Sequence, residues 1–477
     1  MTITTQVSQN KKTLEWGHPR EWPKRDSRSP SECFIFEGDD LEALQLQGLQ
    51  ERFFELSSKI PAVRDLIERQ GVSEITTLND ILPVLFTHTV YKSYPLSLIE
   101  KKRFDQLTKW LSKFSTIDLS EVILDKPKTI DQWLDQLEAQ TEMLVVHSSG
   151  TTGKLSFLPR TQIDMENYKN GLYMVLEGTT GINFHTERVP VFFPGFRDGR
   201  QLAQRVIGYF GPKMAGSEEE YHTAMPGFMS ADFMSLAGRV RAAKAKGELG
   251  KLQLIRALVH NKGELIKIQK NQPKYLREFI EKLLTEYAGK RVFFMGVWQT
   301  IIETALKGHK MGLSKIFAPD SGFATGGGMK GYQPPEGWYD IVCNFYGVNA
   351  IKDNYGMTEM NGGGIPCCNE GKYHIFPWFI PFVLNPKTGD PFPRTGIQRG
   401  RFAFYDLLAE TYWGGFITGD EVTIHWDNCK CGWKGPWLEK EIQRYSKKQG
   451  GDDKISCAGV QAAYDDFIDF LRECENE

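Results

Sequence analysis

Seven consecutive residues have the chemistry to hold a polyphosphate. Ser148-Ser149-Gly150-Thr151-Thr152-Gly153-Lys154 sets two hydroxyl pairs and two glycines before a lysine, directly after the apolar run Met143-Leu144-Val145-Val146. Glycines let backbone N–H groups turn toward an anion, hydroxyls add donors without bulk, and Lys154 brings a point charge that follows the phosphates. The strand-like run ahead of the loop and the lysine at its end argue against a Ser/Gly linker. The loop is not the GxxxxGK[ST] type, because Gly150 lies four residues before Lys154 and Leu155 follows it. A second group of residues suits a soft metal. Cys429 and Cys431, with one residue between them, can face one ion, and Cys367 or Cys368 with His374 would complete a Cys₃His tetrahedron for zinc. Four protein ligands leave no position open for substrate, so such a zinc is structural. A third segment, Phe323–Tyr332, is a glycine-rich turn that alone reads as structural as readily as functional.

The first loop resembles the phosphate loop of the adenylate-forming superfamily, whose members activate a carboxylate with ATP to an acyl-adenylate and usually hand the acyl group to a thiol. Two further signatures follow in order. Tyr355-Gly356-Met357-Thr358-Glu359 is similar to the superfamily's second motif, and Thr418-Gly419-Asp420 to its ribose-binding turn. The resemblance covers roughly residues 140 to 460 and implies an α/β fold, a layered large domain with mostly parallel sheets. It implies that Tyr355 and Gly356 flank adenine, that Gly327 and Gly328 let the backbone pass close to it, and that Thr358 approaches the α-phosphate. It further implies that Glu359 holds Mg²⁺ and that Asp420 binds the ribose, a carboxylate being able to accept two hydroxyl hydrogens at once. The cysteine segments look like those of the phenylacetate-CoA ligase branch, which carries a structural metal there. Cys367 has the closer spacing to His374, and Cys368 stays open.

Departures from the family pattern narrow the reading. The linker-like stretch 450–459 is followed by eighteen residues, so a strongly reduced C-terminal domain is expected. The usual arginine before the paired aspartates is replaced by Gly451, with Arg444 upstream as its substitute. No catalytic-lysine segment follows, so charge stabilisation falls to Lys154, Mg²⁺, Lys330 or Lys454. A short tail looks like the acyl-protein synthetase of the bacterial bioluminescence fatty-acid reductase complex, in which a cysteine accepts the acyl group and passes it to a partner reductase. On that likeness Cys457 is the acceptor, aided by Lys454, with Cys474 second. The rival acceptors are coenzyme A, as in a phenylacetate-type acyl-CoA or aryl-CoA ligase, a carrier pantetheine, or an amine in an amide-forming ligase. The rival of another class is a non-catalytic adenylate-binding protein.

The elements that must position these residues follow from the pattern of the rest of the chain. Its 477 residues carry 58 basic and 60 acidic side chains, so no global field favours nucleic acid or an anionic membrane. No signal-peptide core or membrane-spanning stretch is evident, and a soluble, cytoplasmic protein is expected. Residues 1–30, polar and broken by prolines, read as a loosely held arm within a helical N-terminal portion, 1–125, from which little chemistry is expected. The adenylate-forming core is assigned to 126–445 and the linker with a vestigial C-terminal segment to 446–477. Thr87–Tyr94 reads as a loop, Val189–Pro194 as a buried strand ending in the turn Gly195–Gly199, and Arg291–Gly296 as another buried strand. Helical periodicity marks Asp164–Leu176, Ser230–Ala245 and Leu252–Tyr287. An apolar acyl or aryl acid is expected to sit among Phe192–Asp198, Val297–Thr300 and Phe323–Gly328, where aromatics are frequent.

Overall fold

The computed structural model describes residues 16–24, 29–148, 154–247, 262–329 and 332–445. Strand β1 (Phe86–Thr87) is followed by a hairpin of β2 (Leu144–His147) and β3 (Phe157–Arg160), which brackets the phosphate loop. Strands β4 (Val191–Gly199), β5 (Tyr221–Met229), β6 (Phe293–Met295), β7 (Gly322–Gly326), β8 (Asp353–Tyr355) and β9 (Ile365–Pro366) form a six-stranded sheet in the order β5-β4-β6-β7-β8-β9. Every pairing in it is parallel except β8 with β9, as the alternation of strands and helices requires. The helices Leu202–Ala215, Trp298–Lys310 and Trp338–Tyr346 form the crossovers and bury apolar stripes beneath the strands.

A second sheet completes the core. It joins β10 (Tyr373–His374), β11 (Phe379–Leu384), β12 (Ile397–Asp406), β13 (Gly415–His425), β14 (Trp437–Leu438) and β15 (Gln443–Arg444), and β1 adds to β13 in parallel. Its other pairings are antiparallel. Along β13 burial alternates, whereas every residue of β11 is buried, so that strand is covered on both faces. Among the described residues no helix is long and apolar enough to cross a membrane.

Three sequence expectations are corrected. The turn expected at Gly195–Gly199 is strand: β4 runs on to Gly199, with register shifts between Phe193 and Phe196 and between Phe196 and Asp198. Those bulges absorb Pro194, which has no N–H to give to a ladder, so the chain bends without leaving the sheet. The loosely held arm does not extend to residues 16–24. Trp16 and Trp22 are buried edge to face, and the Trp22 indole N–H donates to the Gly17 carbonyl at 2.9 Å. Thr87–Tyr94 is no free loop either. It holds the end of β1 and a 3₁₀ turn, Val90–Lys92, pinned by the Tyr91 hydroxyl on the Trp413 carbonyl (3.3 Å) and the Tyr94 hydroxyl on that of Leu155 (2.9 Å).

The two sheets meet at residues 360–364, against the helix Gln162–Thr180. Asp406, fully buried, accepts N–H groups from Asn361, Gly362 (3.0 Å) and Leu408 (2.9 Å). Asp164, also fully buried, accepts from Thr161 at the helix start (3.0 Å) and from the Glu410 amide (2.9 Å). The helix lies so close to this turn that a Cβ at Gly171 would stand 2.4 Å from the Gly362 carbonyl oxygen, which is backbone and cannot rotate away. Gly171→Ala is therefore expected to lower the unfolding free energy by about 1–3 kcal/mol, through overpacking. Gly178→Ala in the same helix meets the Trp433 ring edge at 3.3 Å and two proline side chains at ordinary contact distance, and is expected to cost less. Chemical denaturation of the two variants side by side checks this.

Candidate functional site

At the base of the phosphate loop, Ser148 and Ser156 close the hairpin: the Ser148 amide donates to the Ser156 carbonyl (3.1 Å) and the Ser156 amide to the Ser148 hydroxyl (2.9 Å). Ser148 is thus a clasp whose hydroxyl still has its own hydrogen to give. Lys154 leaves the loop with its ammonium 4.5 Å from the centre of the Tyr94 ring, and burial, then the nearby Lys92 charge, lowers its pKa. Ser149, Gly150, Thr151, Thr152 and Gly153 lie outside the described residues, as do Lys330, Lys454, Cys457 and Cys474.

The second and third motifs come together across the sheets. The Tyr355 hydroxyl, at the end of β8, donates to one Asp420 oxygen at 2.8 Å, and the Arg444 Nε lies 3.2 Å from the other. Arg444 is the register partner of Asp420 between β15 and β13. The turn expected at Thr418–Asp420 is strand instead: it lies within β13 at the register shift opposite β12, and there the Asp420 amide donates to Thr418 Oγ1 (3.0 Å). A carboxylate has roughly four lone-pair sites, so two remain for ribose-type hydroxyls. Nearby, Gly327 and Gly328 have φ of 74° and 65°, a left-handed pair that only glycine adopts without strain.

Glu359 stands between these groups. Burial raises its carboxyl pKa, and Arg444, Lys92 and Arg160 pull the other way, so three cations from distant parts of the chain face one acid. Its own carbonyl accepts from the Tyr412 hydroxyl at 3.0 Å. The carbonyls on either side, Thr358 and Met360, accept from Arg160 Nη2 at 3.0 and 2.9 Å. Gly356, by contrast, is exposed and makes no close approach of its own. Of the aromatics expected in the acid pocket, Phe192 and Phe323 are packed against Tyr287 and Tyr346 in the core beneath the helices. Alternation along the strands turns Phe193 and Ala324 to the opposite face, the one shared with Tyr355.

The metal-type cluster is resolved in favour of Cys368. The ligand atoms of Cys368, His374, Cys429 and Cys431 all lie within 4.8 Å of one another. His374 Nε2 sits 3.4 Å from Cys431 Sγ, close to the separation of about 3.5 Å between two ligands of a tetrahedral zinc. Cys367 points away and donates to the Cys368 carbonyl. Burial pushes the Cys431 thiol well up and the His374 imidazole down to about 4, and His374 Nδ1 is buried without a partner among the described residues. Several thiols packed together stay protonated unless a cation is present, so the donor set fits one. Phe34 and Trp433 flank His374 at 5.5 and 5.1 Å, and Lys434 pairs with Glu37 at 2.7 Å, so the N-terminal segment walls the cluster.

Lys92, Tyr94 and Arg160 escaped the sequence reading. Their signals are faint: a lysine and a tyrosine in a portion read as plain scaffold, and one arginine closing the otherwise apolar strand Phe157–Arg160.

No protein-family model and no curated protein matches the chain. Among solved structures, 2-hydroxyisobutyryl-CoA ligase in an open conformation, in complex with 2-HIB-AMP and CoA, superposes with a TM-score of 0.53 at 14% identity, covering 88% of this chain and 79% of that chain. The same ligase in the postadenylation state, in complex with R3-HIB-AMP, gives 0.52 at 14% identity, with 88% and 72% covered. The chain shares the mixed α/β fold of that ligase.

His147, at the mouth of the phosphate loop, offers a pH test. It is fully buried, Nε2 meets no partner among the described residues, and burial lowers its pKa from 6.5 to about 4. The unfolded chain therefore takes up a proton that the folded one refuses. Stability is intact above pH 6.5 and falls as pH drops toward 4, by on the order of 3 kcal/mol from this group. His222 titrates in the same window. His147→Gln is expected to flatten, not abolish, the acid limb of a denaturation-versus-pH series.

Proposed function

We propose that the protein activates a carboxylic acid with ATP to an acyl-adenylate and passes the acyl group to a thiol. The observation that carries this reading is the convergence of three motifs spread along the chain: Arg160 at the end of the phosphate-loop hairpin holds the Thr358–Met360 backbone, 198 and 200 residues away, and Tyr355 holds Asp420, 65 residues away. In this reading the Tyr355 edge and the Gly327–Gly328 turn receive adenine, Asp420 accepts the ribose hydroxyls, and Lys154 with Lys92 offsets phosphate charge. Glu359 would hold the magnesium that accompanies ATP, and the ion's charge would add to that neutralisation. An acid carboxylate oxygen attacks the α-phosphorus, the bond to pyrophosphate breaks, and the chain contributes mainly position and preorganised charge. A thiolate then attacks the acyl carbon and AMP leaves.

Coenzyme A is the acceptor with outside support, since the ligase of similar fold is described in complex with an acyl-AMP and CoA. The alternative acceptor, Cys457, rests on the sequence likeness alone, as does any partner reductase. An apolar acyl or aryl acid fits the aromatic strands, and a structural zinc fits Cys368, His374, Cys429 and Cys431.

ATP–pyrophosphate exchange against a panel of fatty and aromatic acids tests the first step. Acid-dependent exchange is expected, falling about 10²-fold or more in Lys154→Met and in Glu359→Gln; no exchange with any acid would favour a binding protein. Intact-protein mass spectrometry with the best acid, with and without coenzyme A, then separates an acyl mass lost in Cys457→Ser from free acyl-CoA. For the metal, elemental analysis is expected to find zinc in the wild type and in Cys367→Ser and to lose it in Cys368→Ser. Retention of zinc in the latter would remove Cys368 from the site.

A further inference from the structure

Arg160 is wholly buried, yet it carries a charge that cannot be titrated away, and that is expensive unless the fold needs it. Its setting explains the tolerance. The guanidinium lies 5.1 and 5.7 Å from the ring centres of Tyr168 and Tyr412, and the Asp406 carboxyl is near enough to feel its charge. What this charge does there is specific. One nitrogen, Nη2, bridges the carbonyls of Thr358 and Met360, the residues on either side of Glu359. Tyr412, packed on the same guanidinium, holds the carbonyl of Glu359 itself at 3.0 Å. Three successive carbonyls are therefore held by one assembly, which fixes the direction in which the Glu359 side chain leaves the backbone. Arg160 Nε and Nη1 are buried and have no partner among the described residues, so the clamp is not there simply to satisfy the arginine.

Arg160 also ends β3, in register with Leu144 of β2, so the same side chain belongs to the hairpin that brackets the phosphate loop. We propose that Arg160 is the positioning residue that couples the phosphate loop to the metal-type acid Glu359, setting the carboxylate at a fixed bearing to the phosphates. The proposal rests on the adenylation reading. It extends that reading by assigning the geometry of the metal–phosphate corner to a residue that touches neither.

Lysine keeps the charge but lacks the planar fork, and methionine keeps the length without charge or hydrogen bonds. The probe is Mn²⁺ with a non-transferable α,β-methylene ATP analogue, followed by electron paramagnetic resonance, alongside nucleotide binding without metal and thermal unfolding. In Arg160→Met the nucleotide-dependent Mn²⁺ affinity is expected to fall about 10- to 100-fold, as for other outer residues that orient a ligand, and in Arg160→Lys by less. Metal-free nucleotide binding should stay within about twofold of wild type, since Arg160 itself makes no nucleotide contact in the proposal. A purely structural arginine would shift unfolding and both affinities together. Should Arg160→Met not fold, Arg160→Lys decides. A folded variant with wild-type Mn²⁺ affinity, or a wild type that binds no nucleotide-dependent Mn²⁺, overturns the proposal. Wild-type pyrophosphate exchange is measured in parallel. If it is absent while the Mn²⁺ effect stands, the adenylation reading fails and the role of Arg160 survives.

Discussion

Buried backbone amides have to be answered, and in this protein the place where that demand is most concentrated also organises the rest. At residues 360–364 the chain passes from β8 to β9 of the six-stranded sheet, turning under the helix Gln162–Thr180 and beside β12 of the antiparallel one. Water is excluded there, and a turn cannot pair its own N–H groups as a ladder does. Asp406 and Asp164 supply acceptors in place of neighbouring strands, each caging several amides. Burial pushes the Asp406 carboxyl up to about 6, a measure of how much solvation these contacts replace. Arg160 offsets that negative charge and at the same time reaches the carbonyls beside it. The polar knot satisfies the backbone and also points Glu359.

The same economy recurs where helices meet. Asp131 and Asp232 cap each other's helices, the Ile130 amide donating to Asp232 at 2.8 Å and the Ala231 amide to Asp131 at 3.0 Å. Each carboxylate sits where a helix N-terminus favours negative charge. Burial raises the Asp232 pKa to about 6, with its amide bonds opposing. Ion pairs from Arg200 to Asp135 (2.6 Å) and Glu138 (3.0 Å) extend this anchoring to the far end of β4. The Arg200 carbonyl in turn accepts the His147 amide at 2.9 Å, which ties this anchoring to the phosphate-loop hairpin.

How much of this was legible in the sequence depends on whether the relevant residues are neighbours along the chain. Loop 148–154, the Tyr355–Glu359 motif and Asp420 were legible because their chemistry is contiguous. The strands β4 and β6 were legible as short apolar runs, whereas β7 was not, because Phe323–Gly326 opens a segment whose glycines read as a turn. The bulges in β4 were not, because Pro194 and Gly195 have the composition of a turn and only sheet pairing overrules it. The antiparallel sheet carries its period-two signal in β13, but the nucleotide-type motif within it draws the eye to a turn. The choice between Cys367 and Cys368 could not be read from spacing, since adjacent strand residues face opposite ways and a one-residue difference decides everything. Lys92 and Arg160 had no local signature at all; their meaning comes from partners brought close by the fold.

The N-terminal helix Gly38–Leu56 spends its polar groups on the far end of the chain. Arg52 donates to the carbonyl of Ala409, 357 residues later, and Gln45 to those of Pro377 and Phe379, 332 and 334 residues later. On a ribosome adding about 5–20 residues each second, Arg52 waits roughly 20–70 s for its partner to be made. Its neighbours in sequence, Trp22 before it and Leu78–Val84 after it, cover part of the helix from the start, while these polar contacts wait for the antiparallel sheet. The buried end of the first long helix is therefore completed only after most of the chain has been made.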